Sequence, residues 1–472
     1  MKKIILPLVA VAAIGAVAPK FVGSQVNASL NDVVTHINNM PGYQASLSHI
    51  ESSWFNTTAD VTVKFEMPPM TDAPAQQVEA YGVDIKFSAT HGPILFGQHS
   101  GLGWTGWTVS IDGEQLRQHA KWPSMVPIYQ LTSTMGLFGQ HNFTDSMPQV
   151  STTGDDGSSF QFSGYAGQGT YTGDALTYSG VTKELSAQAP FLEVNGKELS
   201  ITMDMESSIA QALEMGLYNS NSKFSLASLV VKTGENESVT TLDNTYISAV
   251  TTIDDDNVLG GIAMSYGVDK VQSANFNAED IALDMEFNNL SAKVAQAWQK
   301  FSEQLGGAAP DEVMVKMQSF GDQHLLTLLQ AQPQINITSL RLTLPEGKVD
   351  SNMHTSLVGI DTLPDNLQNL QFWLSHMLMT GKIEGDKAAV EYVASQVMKQ
   401  QLMASPQAHD MSDEQKAQVE QVALEQTQGM LGMLTQQGMV KATESNYVSE
   451  LKFENSQLTV NGQLIPLPIP GV

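Results

Sequence analysis

Between Tyr81 and Lys270 the chain reads as one short strand after another, cut by Gly, Asn and Asp turns, and this pattern constrains the fold more than any other feature. Trp107-Thr-Val-Ser-Ile-Asp-Gly113 and Leu192-Glu-Val-Asn-Gly-Lys-Glu-Leu199 are typical stretches. Upstream, Ala59, Val61, Val63 and Phe65 alternate with Asp60, Thr62 and Lys64. Period-two alternation of this kind marks strands with one buried and one wet face, as in antiparallel sheets. No fixed longer repeat emerges, so a propeller or solenoid is not indicated. Asn195-Gly196 reads as a hairpin turn because both residues accept positive φ, and Gly154-Asp-Asp-Gly157 and Asp254-Asp-Asp-Asn257 read as turns. Pro123 to Gly136 and Ser207 to Leu217 read as helical insertions.

From Leu290 the period becomes helical: Leu290, Val294, Trp298, Phe301 and Leu305 share a face, with Gly306-Gly307 as a stop. A second helix is expected from Asp311 to Leu329, strands over Pro333 to Val358, and helices over Pro364 to Met379 and Lys387 to Met403. A Gln- and Met-rich helix starts near Ser412, with Gln415 completing a capping box. Strands close the chain at Tyr447 to Phe453 and Gln457 to Leu464, before an apolar tail, Ile465 to Val472. The expected class is α+β: an elongated, mostly antiparallel β body, helices inserted in the C-terminal half, and an N-terminal apolar anchor. The expected division is 1–23, a signal peptide or uncleaved anchor; 24–287, a β-rich region opening with an amphipathic helix; and 288–472, an α+β region.

That anchor is Met1-Lys2-Lys3 followed by the apolar run Ile4 to Ala18, which includes Ile4, Ile5, Leu6, Leu8, Val9, Val11, Ile14 and Val17. Basic residues before a short apolar run direct export across a bacterial inner membrane. Ala16-Val17-Ala18 fits the small-residue cleavage rule, but Pro19 follows it, and signal peptidases tolerate Pro poorly just after the cut. Retention as a tether therefore competes with cleavage and is the favoured reading. A run of fifteen residues reaches about 22 Å of a hydrocarbon core of about 30 Å, so spanning would enlist Pro19 to Val22, with Lys20 reaching the interface. Val26, Leu30, Val33, Val34 and Ile37 then form the apolar face of a helix over Gln25 to Asn39. The expected location is the inner membrane, with the remainder in the periplasm.

Composition narrows the chemistry. The chain has no cysteine, so burial and not disulfides must hold an exported fold. Twenty-three basic against 49 acidic residues give a formal charge of −26, which removes the cationic footprint that nucleic acid requires. Gly101-Leu-Gly103-Trp-Thr-Gly106 has the letters of a dinucleotide fingerprint, but Trp107 onward continues as a strand and not as a phosphate-binding helix. His99, His119 and His141 fall close together without metal-ligand spacing. His91, before Gly92-Pro93, is either a general base or a residue fixing a strand end, and with no triad pattern in the sequence the structural role is favoured. Met398, Met403, Met411, Met430, Met433 and Met439 either line an adaptable apolar groove or fill the core. No catalytic residue, metal ligand or cofactor is assigned.

Tyr43, then Trp54-Phe55-Asn56-Thr57-Thr58-Ala59, then His91-Gly92-Pro93, and finally Leu458-Thr-Val-Asn461-Gly462-Gln463 occur in an order that resembles the YdgA-like family of bacterial envelope proteins, a domain of unknown function. Where the family tends to have a basic residue and Gly before the aromatic pair and Ser-Ser after it, this chain has Ser52-Ser53 and Asn56-Thr57. The resemblance implies a periplasmic protein held at the inner membrane, with a β-rich body and no accepted catalytic residues. The expected function is non-enzymatic binding of a protein or lipid partner in the envelope, as a homo-oligomer, with Leu340 to Leu344 and the tail as contact candidates. The alternative is a periplasmic hydrolase with its site near His91.

Overall fold

The computed structural model describes residues 2–39, 42–66, 80–234, 238–256, 258–274, 276–303, 305, 310–404 and 413–466, the side chains of 2–18, 36, 39, 65, 66, 80, 81, 210, 213, 303, 310 and 413–417 excepted. The chain divides into two compact units, one of residues 1–237 with 295–321 and the other of 238–294 with 322–472.

The first unit opens with helix α1 (Lys2–Asn39) and continues through β1 (Tyr43–Ser52), β2 (Asn56–Glu66), β3 (Ala80–His91), the small pair β4 (Ile94–Leu95) and β5 (Gly101–Leu102), β6 (Thr105–Ile111), β7 (Tyr129–Met135) and β8 (His141–Met147). There follow β9 (Val150–Thr153), β10 (Ser159–Phe162), β11 (Tyr165–Tyr171), β12 (Leu176–Ala189), β13 (Leu192–Met205), α2 (Ile209–Met215) and β14 (Ser220–Thr233). Each long strand pairs antiparallel with its neighbours in the series β1-β2-β3-β6-β7-β8-β11-β12-β13-β14. Directly paired residues share a sheet face, so the register sorts the side chains. One row across the ladder is Thr58, Ser88, Thr108, Thr132, Thr144, Gln168, Ser179 and Thr202. The row beside it, on the other face, begins Ala59, Phe87, Val109 and Leu131. The alternation in the sequence is thus one sheet with a polar face and an apolar face, and α1 covers the apolar face over β1 to β3.

The second unit contains β15 (Ser238–Ile253), β16 (Leu259–Gln272) and β17 (Asn277–Ser291), followed in the chain by α3 (Ala292–Glu303) and α4 (Pro310–Gln330), then β18 (Gln334–Leu344), β19 (Gly347–Leu357), α5 (Leu370–His376) and β20 (Met377–Asp386). It ends with α6 (Lys387–Met403), α7 (Asp413–Gln436), β21 (Lys441–Ala442), β22 (Asn446–Glu454), β23 (Gln457–Val460) and β24 (Gln463–Ile465). The same sorting recurs: Ile247, Tyr266, Leu283 and Leu340 form a row on one face, and Ser248, Ser265, Asp284 and Ser339 on the other. Its core is an apolar contact in which Ala389 of α6, fully buried, meets Ala278 and Leu344, with Ile281, Leu342, Val349, Tyr392 and Val393 around them.

Mostly antiparallel β structure, with helices mainly in the C-terminal half, agrees with the expected class. Four local expectations are corrected. Gln457 to Leu464 is not one strand but two, β23 and β24, which reverse at Asn461-Gly462 and pair with each other. Asn195-Gly196 is not a turn: both residues lie inside β13, paired with Ser186 and Leu185 on one side and Val230 and Leu229 on the other. The reversal comes earlier, at Pro190-Phe191, where proline cannot donate to a ladder and Phe191 takes φ of 68°. Pro123 to Gly136 is not a helix, because Tyr129, Leu131, Ser133 and Met135 alternate with Gln130, Thr132 and Thr134 and pair on both sides as β7. The helix expected over Pro364 to Met379 shrinks to α5, started by Asn369, whose side chain accepts from the Phe372 amide, and ended where Met377 joins β20. Ser208 and Gln211 make a full capping box on α2, and Gly216 ends it at φ of 71°, as the expected insertion requires. Ser412, Gly306-Gly307 and residues 467–472 lie outside the described residues.

Candidate functional site

Of the residues that carried the family resemblance in the first unit, Trp54, Phe55, His91, Gly92 and Pro93 meet at one end of its sheet, under α1. The turn between β1 and β2 exposes Trp54 and Phe55, and β3 ends beside it: the His91 amide donates to the Phe55 carbonyl at 2.8 Å. Gly92 donates to the Trp104 carbonyl at 2.8 Å, Gly103 to the Pro93 carbonyl at 3.1 Å, and the Gly92-Pro93 peptide is cis. A side chain at residue 92 would run into the Gly103 carbonyl, so only glycine fits there. Trp104 fixes the neighbouring loop by donating its amide to the Met135 carbonyl at 2.9 Å and its indole N–H to the Leu137 carbonyl at 3.0 Å.

Within this frame the His91 side chain is fully buried. Its Nε2 hydrogen-bonds with Thr57 Oγ1 at 3.2 Å, and that hydroxyl hydrogen-bonds with Ser52 Oγ at 3.1 Å. The other edge of the ring faces Gly23 of α1, where a Cβ would come within 2.6 Å of Cε1 and 2.8 Å of Nδ1. Burial pushes the imidazole below the usual histidine range, opposed only in part by the Trp54 backbone. A neutral ring is what a helix can sit on without stranding a charge. Pro19, one helical turn before Gly23, is also buried, Lys20 Nζ lies 5.5 Å from the Trp54 ring centre, and Phe55 meets Phe96 edge-on at 6.1 Å.

Beyond this seat, α1 and the sheet part to leave an apolar groove of about 760 Å³. Phe21, Val22, Val26, Leu30 and Val33 line it from the helix, with Gln25 and Ser29; Phe87, Trp104, Trp107, Val109 and Met135 line it from the sheet, with Thr105 and His141. His141 Nδ1 lies 3.5 Å from Ser133 Oγ, and burial lowers the pKa of this ring as well. The volume falls within the range of small-ligand sites, and so does the pattern of many apolar walls with few polar groups. Sequence reasoning placed Val26, Leu30 and Val33 on an apolar helix face and Trp107 on a strand. It did not foresee that bulky side chains on both elements would hold them apart.

Further along the same sheet face, Asp145 accepts from Tyr178 at 3.0 Å and from Tyr129 at 3.4 Å, and Tyr165 bonds to Tyr178 hydroxyl to hydroxyl. Burial and the adjacent carboxylate push Tyr129 up to about 12 and raise Tyr178 further. Gly167 and Gly180 make room for these rings, as a Cβ on either would strike a tyrosine. These phenols stay protonated and satisfy one carboxylate inside an apolar face, a node with no sequence signal beyond the glycine alternation.

The other candidates are dispersed. Tyr43 begins β1 and pairs with Phe65, at the far end of the strand from Trp54. Asn461 and Gly462 belong to the second unit and form the turn between β23 and β24 at φ of 52° and 81°. The Asn461 side chain donates to the Gly438 and Met439 carbonyls, both at 3.0 Å, and accepts from the Glu450 amide at 3.0 Å. His99 bonds Thr108 at 3.2 Å on the polar face of β6, opposite the face that holds His141, and His119 follows a short 3-10 turn; among the described residues no three His, Asp or Glu side chains gather as for a metal. Met398 and Met403 lie on α6, Met430 and Met433 on α7 and Met439 just past it; Met411 is outside the described residues. Among the described residues no helix is long and apolar enough to cross a membrane, while the side chains of Ile4, Ile5, Leu6, Leu8, Val9, Val11, Ile14 and Val17 are outside them.

No curated protein and no solved structure matches the chain. A family model does, over residues 1–468, in keeping with the resemblance that pointed to a domain of unknown function. The chain therefore belongs to the family described as bacterial protein of unknown function, DUF945.

Proposed function

We propose that this is a non-enzymatic protein, tethered to the bacterial inner membrane and facing the periplasm, that takes an acyl chain of an envelope lipid into the groove beneath α1. One observation carries the reading. The helix bearing the apolar run Ile4 to Ala18 continues unbroken into the residues that wall the groove, starting at Phe21. Two residues, Pro19 and Lys20, separate the run from that wall, a rise of about 4.5 Å along the axis from Ala18 to Phe21. A groove so placed would open at the surface of the membrane holding the run, where acyl chains are the abundant apolar ligand. Among its lining residues there is no carboxylate, lysine or arginine.

The hydrolase alternative asks His91 for a nucleophile and access. Its ring instead meets the Thr57 hydroxyl and Gly23, fully buried. Homo-oligomerisation has its own support, since Ile247, Leu340 and Ile383 stand exposed on the apolar face of the second unit. A monomer by light scattering at micromolar concentration removes that part.

Native mass spectrometry of the detergent-extracted full chain tests the lipid reading. The wild type should retain a phospholipid mass, and Ser29→Trp, which fills the groove from the helix side, should lose it. A wild-type chain free of lipid, or a Ser29→Trp variant that retains as much, sinks the proposal.

A further inference from the structure

The end of the first unit that holds the His91 seat also carries a set of apolar loop tips. In the ladder β1-β2-β3-β6-β7-β8, successive connections alternate between the two ends of the sheet. Residues 53–55, 92–104 and 136–140 therefore all emerge at one end. Exposed there are Phe55, Ile94, Phe96, Leu102 and Phe138, the last with no cover at all at 103%. The composition is as telling as the exposure: residues 52–59, 91–111 and 136–143 contain no Asp, Glu, Lys or Arg, in a chain of net charge −26. The connection 112–128 at the opposite end also exposes apolar side chains, Leu116 and Met125, but interleaves them with Asp112, Glu114, Arg117 and Lys121.

Helix α1 reaches the end formed by these three loops with Lys20, over Trp54, and Gly23, over His91, whereas Asn38 bonds Ala45 near the other end of β1. Its residues before Pro19, the apolar run, thus leave the unit past the same end as the three loops. These three loops combine exposed aromatics and aliphatics with one lysine beside a tryptophan and no acid, the composition of a membrane–water interface; the next connection at this end, 172–175, carries Asp174. A soluble protein partner would leave the convergence with the apolar run unexplained.

We infer that these three loops are a membrane-contacting surface: Phe55, Ile94, Phe96, Leu102 and Phe138 enter the boundary between headgroups and acyl chains, and Lys20 lies at the level of the phosphates. The inference rests on the tethered reading for its orientation and deepens it. The tips would hold the mouth of the α1 groove against the leaflet, where a tether alone would leave the unit free to tumble on it.

The absence of native cysteine makes the test clean. Phe138→Cys and, separately, Phe191→Cys in the full chain are each labelled with an NBD fluorophore. Residue 191 is equally apolar and also exposed, at 67%, but lies in the β12–β13 turn at the opposite end. With vesicles of phosphatidylethanolamine and phosphatidylglycerol, the probe at 138 should shift to the blue, become severalfold less accessible to iodide and be quenched by nitroxide lipids, while the probe at 191 stays aqueous. A probe at 138 as open to iodide as that at 191 overturns the inference. So does shielding at 138 before vesicles are added, which would mark a second copy or another part of the chain. Flotation and the mass of the mature chain separate the two readings. A chain that floats through residues 1–18 with an aqueous probe at 138 keeps the tether and loses the tips. A chain cleaved after residue 18 that still floats and shields 138 keeps the tips and loses the tether, and one that no longer floats loses both.

Discussion

Two helices in this molecule solve the same problem differently. In the second unit α6 lies on its sheet through small residues, with Ala389 fully buried against Ala278 and Val390 close over Gly385. In the first unit α1 touches its sheet closely at one small residue, Gly23 over His91, and then presents Phe21, Val26 and Leu30 to Trp104, Trp107 and Met135. Small against small closes an interface; large against large props it open. The difference separates a helix that finishes a core from one that walls a groove.

The largest effect should come from the turn that builds the seat. Gly92→Ala sets a Cβ against the Gly103 carbonyl, a backbone atom that cannot swing away. Overpacking of this kind costs about 3 kcal/mol, and chemical denaturation should show it in the transition that reports the first unit. An unchanged midpoint would mean that the turn tolerates a side chain and that the His91 seat has room to give.

The comparison itself is tested by adding bulk to each helix. Ala389→Leu should destabilise by about 1–3 kcal/mol because its site has no space, whereas Ser29→Leu, facing the groove, should stay within about 0.5 kcal/mol of the wild type. Equal costs would show that the α1 groove closes in solution. Gly23→Val should resemble Ala389→Leu, since it drives a side chain into the His91 ring, and limited proteolysis should then find α1 detached.

How far the sequence led depended on whether a feature was local. Alternation placed the strands because burial of one face is written residue by residue, and Ala59 to Phe65 and Trp107 to Ile111 fall inside β2 and β6. The same dipeptide then gave opposite results at two places. Asn195-Gly196 is absorbed into a long strand because Pro190 breaks the ladder first, while Asn461-Gly462 turns because the Asn461 side chain donates to the Gly438 and Met439 carbonyls and accepts from the Glu450 amide. Those partners are distant in sequence, and no dipeptide rule contains them. His91-Gly92-Pro93 stood out as a motif, yet its meaning came from Gly23, nearly seventy positions earlier, and the groove arose from side-chain sizes on elements that only the fold brings together.

Acid should loosen the α1 side before the α6 side, by a smaller amount than the substitutions above. His91, His99 and His141 all belong to the first unit, and burial holds all three below the ordinary histidine value of about 6.5. A depressed folded pKa means that the unfolded chain binds protons first, so this contribution is present above about 6.5 and is lost as pH falls through the folded values. Thermal unfolding followed from about pH 7.5 down to about pH 5 should show the first unit losing stability as the imidazoles charge. His91→Gln retains a partner for Thr57 without titrating and should flatten part of that slope. A slope that is unaltered in the variant would place the pH sensitivity in His99 and His141 and not at the seat of α1.

The smallest effect is expected at Lys20. Its ammonium lies over Trp54 at 5.5 Å in an exposed setting, where a cation–π contact contributes about 0.5–1 kcal/mol. Lys20→Gln should therefore barely move the denaturation midpoint of the detergent-solubilised chain. On vesicles the same change should matter more, because Lys20 stands where α1 passes from the apolar run to the groove and would meet lipid phosphates as well as the indole. A Lys20→Gln variant that loses no more on vesicles than in detergent would assign the lysine to Trp54 alone, leaving Gly23 over His91 as the contact that fixes the helix.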